Sequence, residues 1–146
     1  MHRDKPGGPI RWRMYVPVPP DRVYQALDSN EGRASFWAES APEVAGSIEF
    51  TFANAYKYRA KVIERSKPHR FSLEYFEGVA TFEMSRTEEG GTDLLLVHHG
   101  VSLDQWNEVH AGWLNVLFPL KAMLAFGVDL RNHDPERSWD QGYADQ

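Results

Sequence analysis

The chain has 146 residues, no cysteine, and 16 Lys and Arg against 21 Asp and Glu, for a formal charge of -5. That length suits one domain burying roughly 68 to 70% of its unfolded surface; the missing thiols exclude disulfides and thiolate metal sites, and the acidic balance argues against nucleic acid, whose phosphates need clustered cations. A hydrophobic fraction of 42%, with five Trp, six Tyr and eight Phe, indicates a packed globule unusually rich in rings.

Residues 1–9 are polar, carry Gly and Pro, and lack the apolar run of a secretion signal, so they read as a disordered lead-in to a cytoplasmic protein. Ile10, Trp12, Met14 and Val16 then alternate with Arg11, Arg13 and Tyr15, the period of a half-buried strand, which Pro17, Pro19 and Pro20 close. Pro20 suits the first turn of a short helix whose buried side is Val23, Tyr24 and Leu27. A second short helix is predicted from Glu31 to Trp37, capped by Asn30, and Pro42 and Gly46 mark the loop that leaves it.

Strands follow with readable parity. Ile48, Phe50 and Phe52 share one face, as do Tyr56, Tyr58, Ala60 and Val62, then Phe71, Leu73 and Tyr75, then Ala80, Phe82 and Met84. Gly90-Gly91 is a hairpin turn into Thr92 to Gly100, and the short connections predict antiparallel order. In that last strand Leu94, Leu96 and His98 oppose Leu95, Val97 and His99, so both faces are apolar, which predicts cover from the carboxy-terminal tail or from a second subunit. Arg11, Arg13, Lys57, Arg59 and Lys61 fall on the outward parity and read as a solvated face.

From Asp104 to Phe126, Trp106, His110, Trp113, Leu117, Leu120 and Leu124 recur at alternating four- and three-residue steps, the stripe of one long helix. Pro119 predicts a kink and Gly127 a stop. Asn115 and Lys121 inside its most apolar window make it amphipathic and not a membrane span. Residues 128–146 are polar, with Pro135, Trp139 and Tyr143 as anchors, and read as an irregular tail laid on the surface. The domain itself is expected over 10–127.

Strand, two short helices, a run of antiparallel strands and a long final helix is the order of the helix-grip fold. Val18-Pro19-Pro20-Asp21-Arg22-Val23-Tyr24-Gln25-Ala26-Leu27, Phe36-Trp37, and Glu108-Val109-His110-Ala111-Gly112-Trp113 with Leu120-Lys121 resemble the SRPBCC superfamily of START and pollen-allergen-like domains. Within it they are similar to the branch of the activator of heat-shock-protein ATPase. The resemblance spans roughly Ile10 to Phe126 and implies an α+β domain, a curved antiparallel sheet of six or seven strands wrapped on the carboxy-terminal helix, with two short helices between the first and second strands. It also implies an apolar cavity between sheet and helix that holds hydrophobic small molecules.

Within that frame His110 is the candidate acid or base, since an imidazole on an apolar stripe needs a partner from protein or ligand. His98, Tyr58 and Tyr75 are candidate partners, and an ordinary hydrogen-bonded core histidine is the alternative. Trp37, Phe50, Phe52, Tyr58, Tyr75, Phe82, His98, Trp106, His110, Trp113 and Leu117 are the expected ligand-contacting residues, flat faces with a few polar tips. Those same rings could equally be a filled core. His98, His99 and His110 do not predict a metal, because adjacent strand residues point to opposite faces. No cofactor is expected.

Three functions stay open at this point. The first is binding of a hydrophobic or aromatic small molecule. The second is a cavity enzyme of cyclase, dehydratase or hydrolase type using His110 as acid or base. The third is a chaperone-associated interaction module acting through the outer side of the last strand near Leu95. A homodimer is compatible with each; a chaperone partner ranks below a small molecule, and neither nucleic acid nor membrane is expected.

Overall fold

Period-two alternation builds the sheet. The computed structural model describes residues 4–146, and in it the predicted strands form β1 (Ile10–Val16), β3 (Ser47–Thr51), β4 (Lys57–Ser66), β5 (Arg70–Glu74), β6 (Val79–Arg86) and β7 (Thr92–His99). A two-residue strand, β2 (Glu43–Val44), lies in what the sequence marks as loop. It pairs with β3 because Ala45 and Gly46, at φ 52° and 82°, supply the two positive-φ positions of a tight two-residue hairpin. The seven strands are antiparallel in the order β1-β7-β6-β5-β4-β3-β2, so the first strand pairs with the last. A register shift between Val62 and Glu64 bends β4 and helps to curve the sheet.

The inward parity holds: Ile10, Val16, Ile48, Phe50, Ala60, Phe71, Leu73, Ala80, Phe82, Leu94 and Leu96 are buried, while Arg11, Arg13, Lys57, Arg59 and Lys61 are exposed. On the outer side Leu95 and Val97 are half-buried among the long side chains of neighbouring strands. The tail's hydrogen bonds run instead to Ala34, Ala38, Asn54 and Glu108.

Two short helices, α1 (Pro20–Leu27) and α2 (Asn30–Phe36), follow β1. The cap of α2 is Ser29, not Asn30: Ser29 Oγ accepts the Gly32 N-H at 3.0 Å. Asn30 Oδ1 is engaged elsewhere, accepting from Arg33 Nη2 at 2.9 Å and from the Glu43 N-H at 3.1 Å. That register buries Arg33 almost completely, with Nε donating to the Ala41 carbonyl and Nη1 to the Leu27 carbonyl. A buried guanidinium is tolerable only because each of its nitrogens is matched to an acceptor.

The final helix is two segments, α3 (Leu103–Gly112) and α4 (Leu114–Phe126). The interruption falls at Trp113, not at Pro119, which lies inside α4. Gly127 closes α4 in the left-handed conformation at φ 66°. Leu103–Phe126 is long and apolar enough, by length and composition, to cross a bilayer. In the domain its Trp106, Trp113, Leu117 and Leu120 are buried instead in the protein's own core. α4 lies against β1, α1 and α2, whereas α3 meets α4 more than any strand. The sheet's far end therefore faces α3 across a gap.

The amino-terminal stretch differs from the disordered segment expected over 1–9. Asp4 accepts the Arg11 N-H at 2.8 Å and the Gly8 carbonyl accepts from Trp106 Nε1 at 2.8 Å; residues 1–3 lie outside the described residues.

Replacing Arg33 with Met leaves the Ala41 and Leu27 carbonyls without their donor. Denaturant unfolding followed by circular dichroism is expected to register a loss of about 1 to 3 kcal/mol for each orphaned carbonyl, the scale for a buried acceptor left without a donor.

Candidate functional site

The gap between α3 and the sheet is a cavity of about 720 Å³. Its floor is Trp37, Tyr75 and Trp113, rings packed at centroid distances of 4.9 to 6.0 Å. Trp37 Nε1 donates to the Tyr75 hydroxyl at 3.1 Å, and burial pushes the Tyr75 phenol far above its ordinary pKa, so it serves as a neutral polar group. Tyr58 is raised by burial too, and its hydroxyl accepts the Phe76 N-H at 2.7 Å.

At the mouth Phe52, Tyr56, Tyr58 and Phe76 form a set of nearly parallel rings; Tyr58 and Phe76 are 4.1 Å apart at 13°. Phe76 adopts φ 55°, a conformation strained for a bulky side chain, and stays 46% exposed instead of filling the space beside it. Gly78 makes that turn possible, since a Cβ there would lie 1.8 Å from the His99 carbonyl oxygen.

Five of the expected contact residues line the cavity: Trp37, Phe52, Tyr58, Tyr75 and Trp113. Phe50, Phe82 and Leu117 are buried core beneath it. His98 is also core. Trp113 Nε1 can only donate and does so to His98 Nδ1 at 2.9 Å; His98 Nε2 must then carry the proton and donates it to the Glu77 carbonyl at 2.7 Å. Both nitrogens are spent on the fold, so the expected role of orienting a ligand is corrected.

His110 and Trp106 are displaced further. The imidazole is stacked between Trp12 and Trp106, at 4.5 Å from each, with Nε2 3.6 Å from an Asp4 carboxylate oxygen, on the side of α3 away from the cavity. The expected acid or base thus lies outside the cavity. The stripe that faces inward is one residue earlier: Gln105, Val109, Gly112 and Val116, with Glu108 and Asn115 beside them. Glu108 accepts from Trp139 Nε1.

Trp139 belongs to the tail, which forms the outer wall. Arg131 is its buried anchor, donating to the Ala38 and Ala34 carbonyls at 2.8 and 2.9 Å and to Asp129. A single 3-10 turn at Trp139–Gln141, capped by Ser138, brings Asp140 to Asn54 at 3.2 Å. Asn115 Nδ2 donates to the Gln146 carbonyl. Among the described residues no group of three metal-ligating side chains gathers.

A curved antiparallel sheet closed by a carboxy-terminal helix around an aromatic cavity is the architecture of the helix-grip proteins. The family model of Activator of Hsp90 ATPase homolog 1-like protein matches residues 17–125, and the chain belongs to that family. A search of curated proteins found no match. Among solved structures, SSP2350 from Staphylococcus saprophyticus aligns at TM-score 0.73 and 19% identity over 84% of this chain and 96% of its own. The Aha1 dimer from Colwellia psychrerythraea aligns at 0.72 and 20% over 82% and 97%. DynU16, a protein of the dynemicin biosynthetic locus, aligns at 0.69 and 20% over 85% of this chain and 49% of its own. These likenesses establish the shared fold.

Burial lowers the His98 pKa below its ordinary value near 6.5. In the unfolded chain the group takes a proton near pH 6.5 and in the folded chain only at lower pH, so its contribution to stability falls as pH drops below about 7. His133 works in the opposite sense: the hydrogen bonds its ring donates to Asp129 and Glu39 raise its pKa, so its contribution is full below about pH 6.5 and is lost as pH rises through the folded value. Nitrogen-detected NMR is expected to find His98 as the neutral Nε2-H tautomer at pH 5.5, where His133 is a doubly protonated ring. A protonated His98 at that pH would contradict the assigned hydrogen bonds.

Proposed function

We propose that the protein binds a hydrophobic, aromatic-containing small molecule in the cavity between α3 and the sheet. The observation that carries this reading is the strained, half-exposed Phe76 beside about 720 Å³ of space: large rings surround the cavity without filling it. A volume of that size matches a drug-sized ligand, and aromatic walls with few polar groups suit a flat apolar guest. Binding without turnover is favoured over the cavity enzyme, because His110 and His98 are both held by the fold and turned from the space.

The fluorescent probe N-phenyl-1-naphthylamine tests the reading, since its emission rises on entering an apolar site. Gly112 lines the cavity and a Cβ there would meet no heavy atom within 4 Å, so Gly112→Phe introduces a ring into open space without crowding the helix. That variant is expected to weaken probe binding about tenfold or more, equivalent to about 1.4 kcal/mol, while His110→Phe leaves it unchanged. Equal binding by wild type and Gly112→Phe would count against the cavity.

The dimeric Colwellia neighbour motivates a second proposal, that this chain self-associates. Sedimentation at micromolar concentration is expected to return twice the chain mass of 16.8 kDa; a monomer throughout removes it.

A further inference from the structure

The polar groups of the cavity wall are uneven in sign. Glu77, Glu108 and Asp140 line it, against one cation, Arg131. Arg131 is spoken for, with its guanidinium nitrogens directed to the Ala34 and Ala38 carbonyls and to both oxygens of Asp129. The three carboxylates are held only by neutral donors: Glu77 by the Ser102 N-H and hydroxyl, Glu108 by the Trp139 indole, and Asp140 by the Asn54 amide. Among the described residues none of the three has a cationic partner, whereas the charged groups around Arg33, Arg65 and Arg70 are paired. On the same wall the buried Asn115 Oδ1 is an acceptor with no donor and the buried Gln146 Nε2 a donor with no acceptor.

A cavity open to a ligand that combines aromatic faces with unpaired carboxylates attracts positive charge twice, by Coulomb attraction and by the negative faces of the rings. Phe76 and Tyr56 present such rings at the mouth, where a cation need not be stripped of all its water. An anionic guest would meet three like charges and no free cation. Resting on the cavity reading above, we infer that the ligand is a planar aromatic bearing an amine or another cationic nitrogen group, its ring between the aromatic walls and its N-H donors toward Glu108 and Glu77.

Three probes separate the possibilities with the full chain at pH 7.5 and physiological salt: proflavine, a flat cation; 8-anilinonaphthalene-1-sulfonate, an anion; and neutral N-phenyl-1-naphthylamine. Proflavine is expected to bind about tenfold more tightly than the anion, the scale of one cation–π or partly buried ionic contact. The double variant Glu77→Gln/Glu108→Gln, which keeps each hydrogen-bond acceptor, is expected to lose about that factor for proflavine and less than about twofold for the neutral probe. The control Glu88→Gln/Glu89→Gln removes the same charge from an exposed hairpin and is expected to leave proflavine binding unchanged. If the neutral probe binds while the anion equals or beats proflavine, or if the hairpin control costs as much as the cavity variant, the assigned ligand class is wrong and the cavity reading stands. If none of the three probes binds, the cavity reading fails and this inference falls with it.

Discussion

The hydrogen bond from Trp113 to His98 is the contact on which the cavity depends. It joins the break between α3 and α4 to the end of β7, and through His98 Nε2 it also holds the Glu77 carbonyl at the β5–β6 turn. Three elements distant in sequence are thereby fixed around one buried imidazole. With Trp113 pulled inward at that point, α4 continues against β1 and the short helices. α3 is left to diverge from the sheet. α3 is held on one side by His110 and Trp106 against Trp12 of β1, and its opposite side faces the cavity.

The aromatic residues divide their work by what surrounds them. Trp37, Tyr75 and Trp113 pack edge and face and satisfy their polar atoms within the protein, so they form a rigid floor. Phe52, Tyr56, Tyr58 and Phe76 stack nearly parallel toward solvent, and the positive φ at Phe76 keeps that ring out of the void. Strain of this kind persists only where neighbours over-determine it. Here Tyr58 accepts the Phe76 N-H, and Gly78 permits the close approach of the turn to β7.

His110 illustrates how a strong sequence signal can be read correctly as a pattern and misassigned in role. An imidazole among apolar residues does need company, and it has it: two indole faces and Asp4 from the amino-terminal segment. Its effect is to fasten residues 4–9 across the end of the sheet, where Trp106 also reaches the Gly8 carbonyl. Arg131 does the corresponding work at the other terminus, tying the tail to the end of α2. The segment 4–9 and the tail are thus each drawn onto the domain by one buried or stacked side chain.

Periodicity reads every strand but β2, the inward faces and the long apolar stripe, because side-chain direction in a regular element follows from local geometry. The helix-grip order followed from their succession. What periodicity could not convey is which neighbouring stripe of α3 meets empty space. Large apolar residues are drawn into the core, so a cavity is lined by the row beside them, here Gln105, Val109 and Gly112, whose sizes look unremarkable in the chain. The roles of Glu77, Arg131 and Trp139 rest on partners tens of residues away, and contacts of that range are set by packing, which no local pattern encodes.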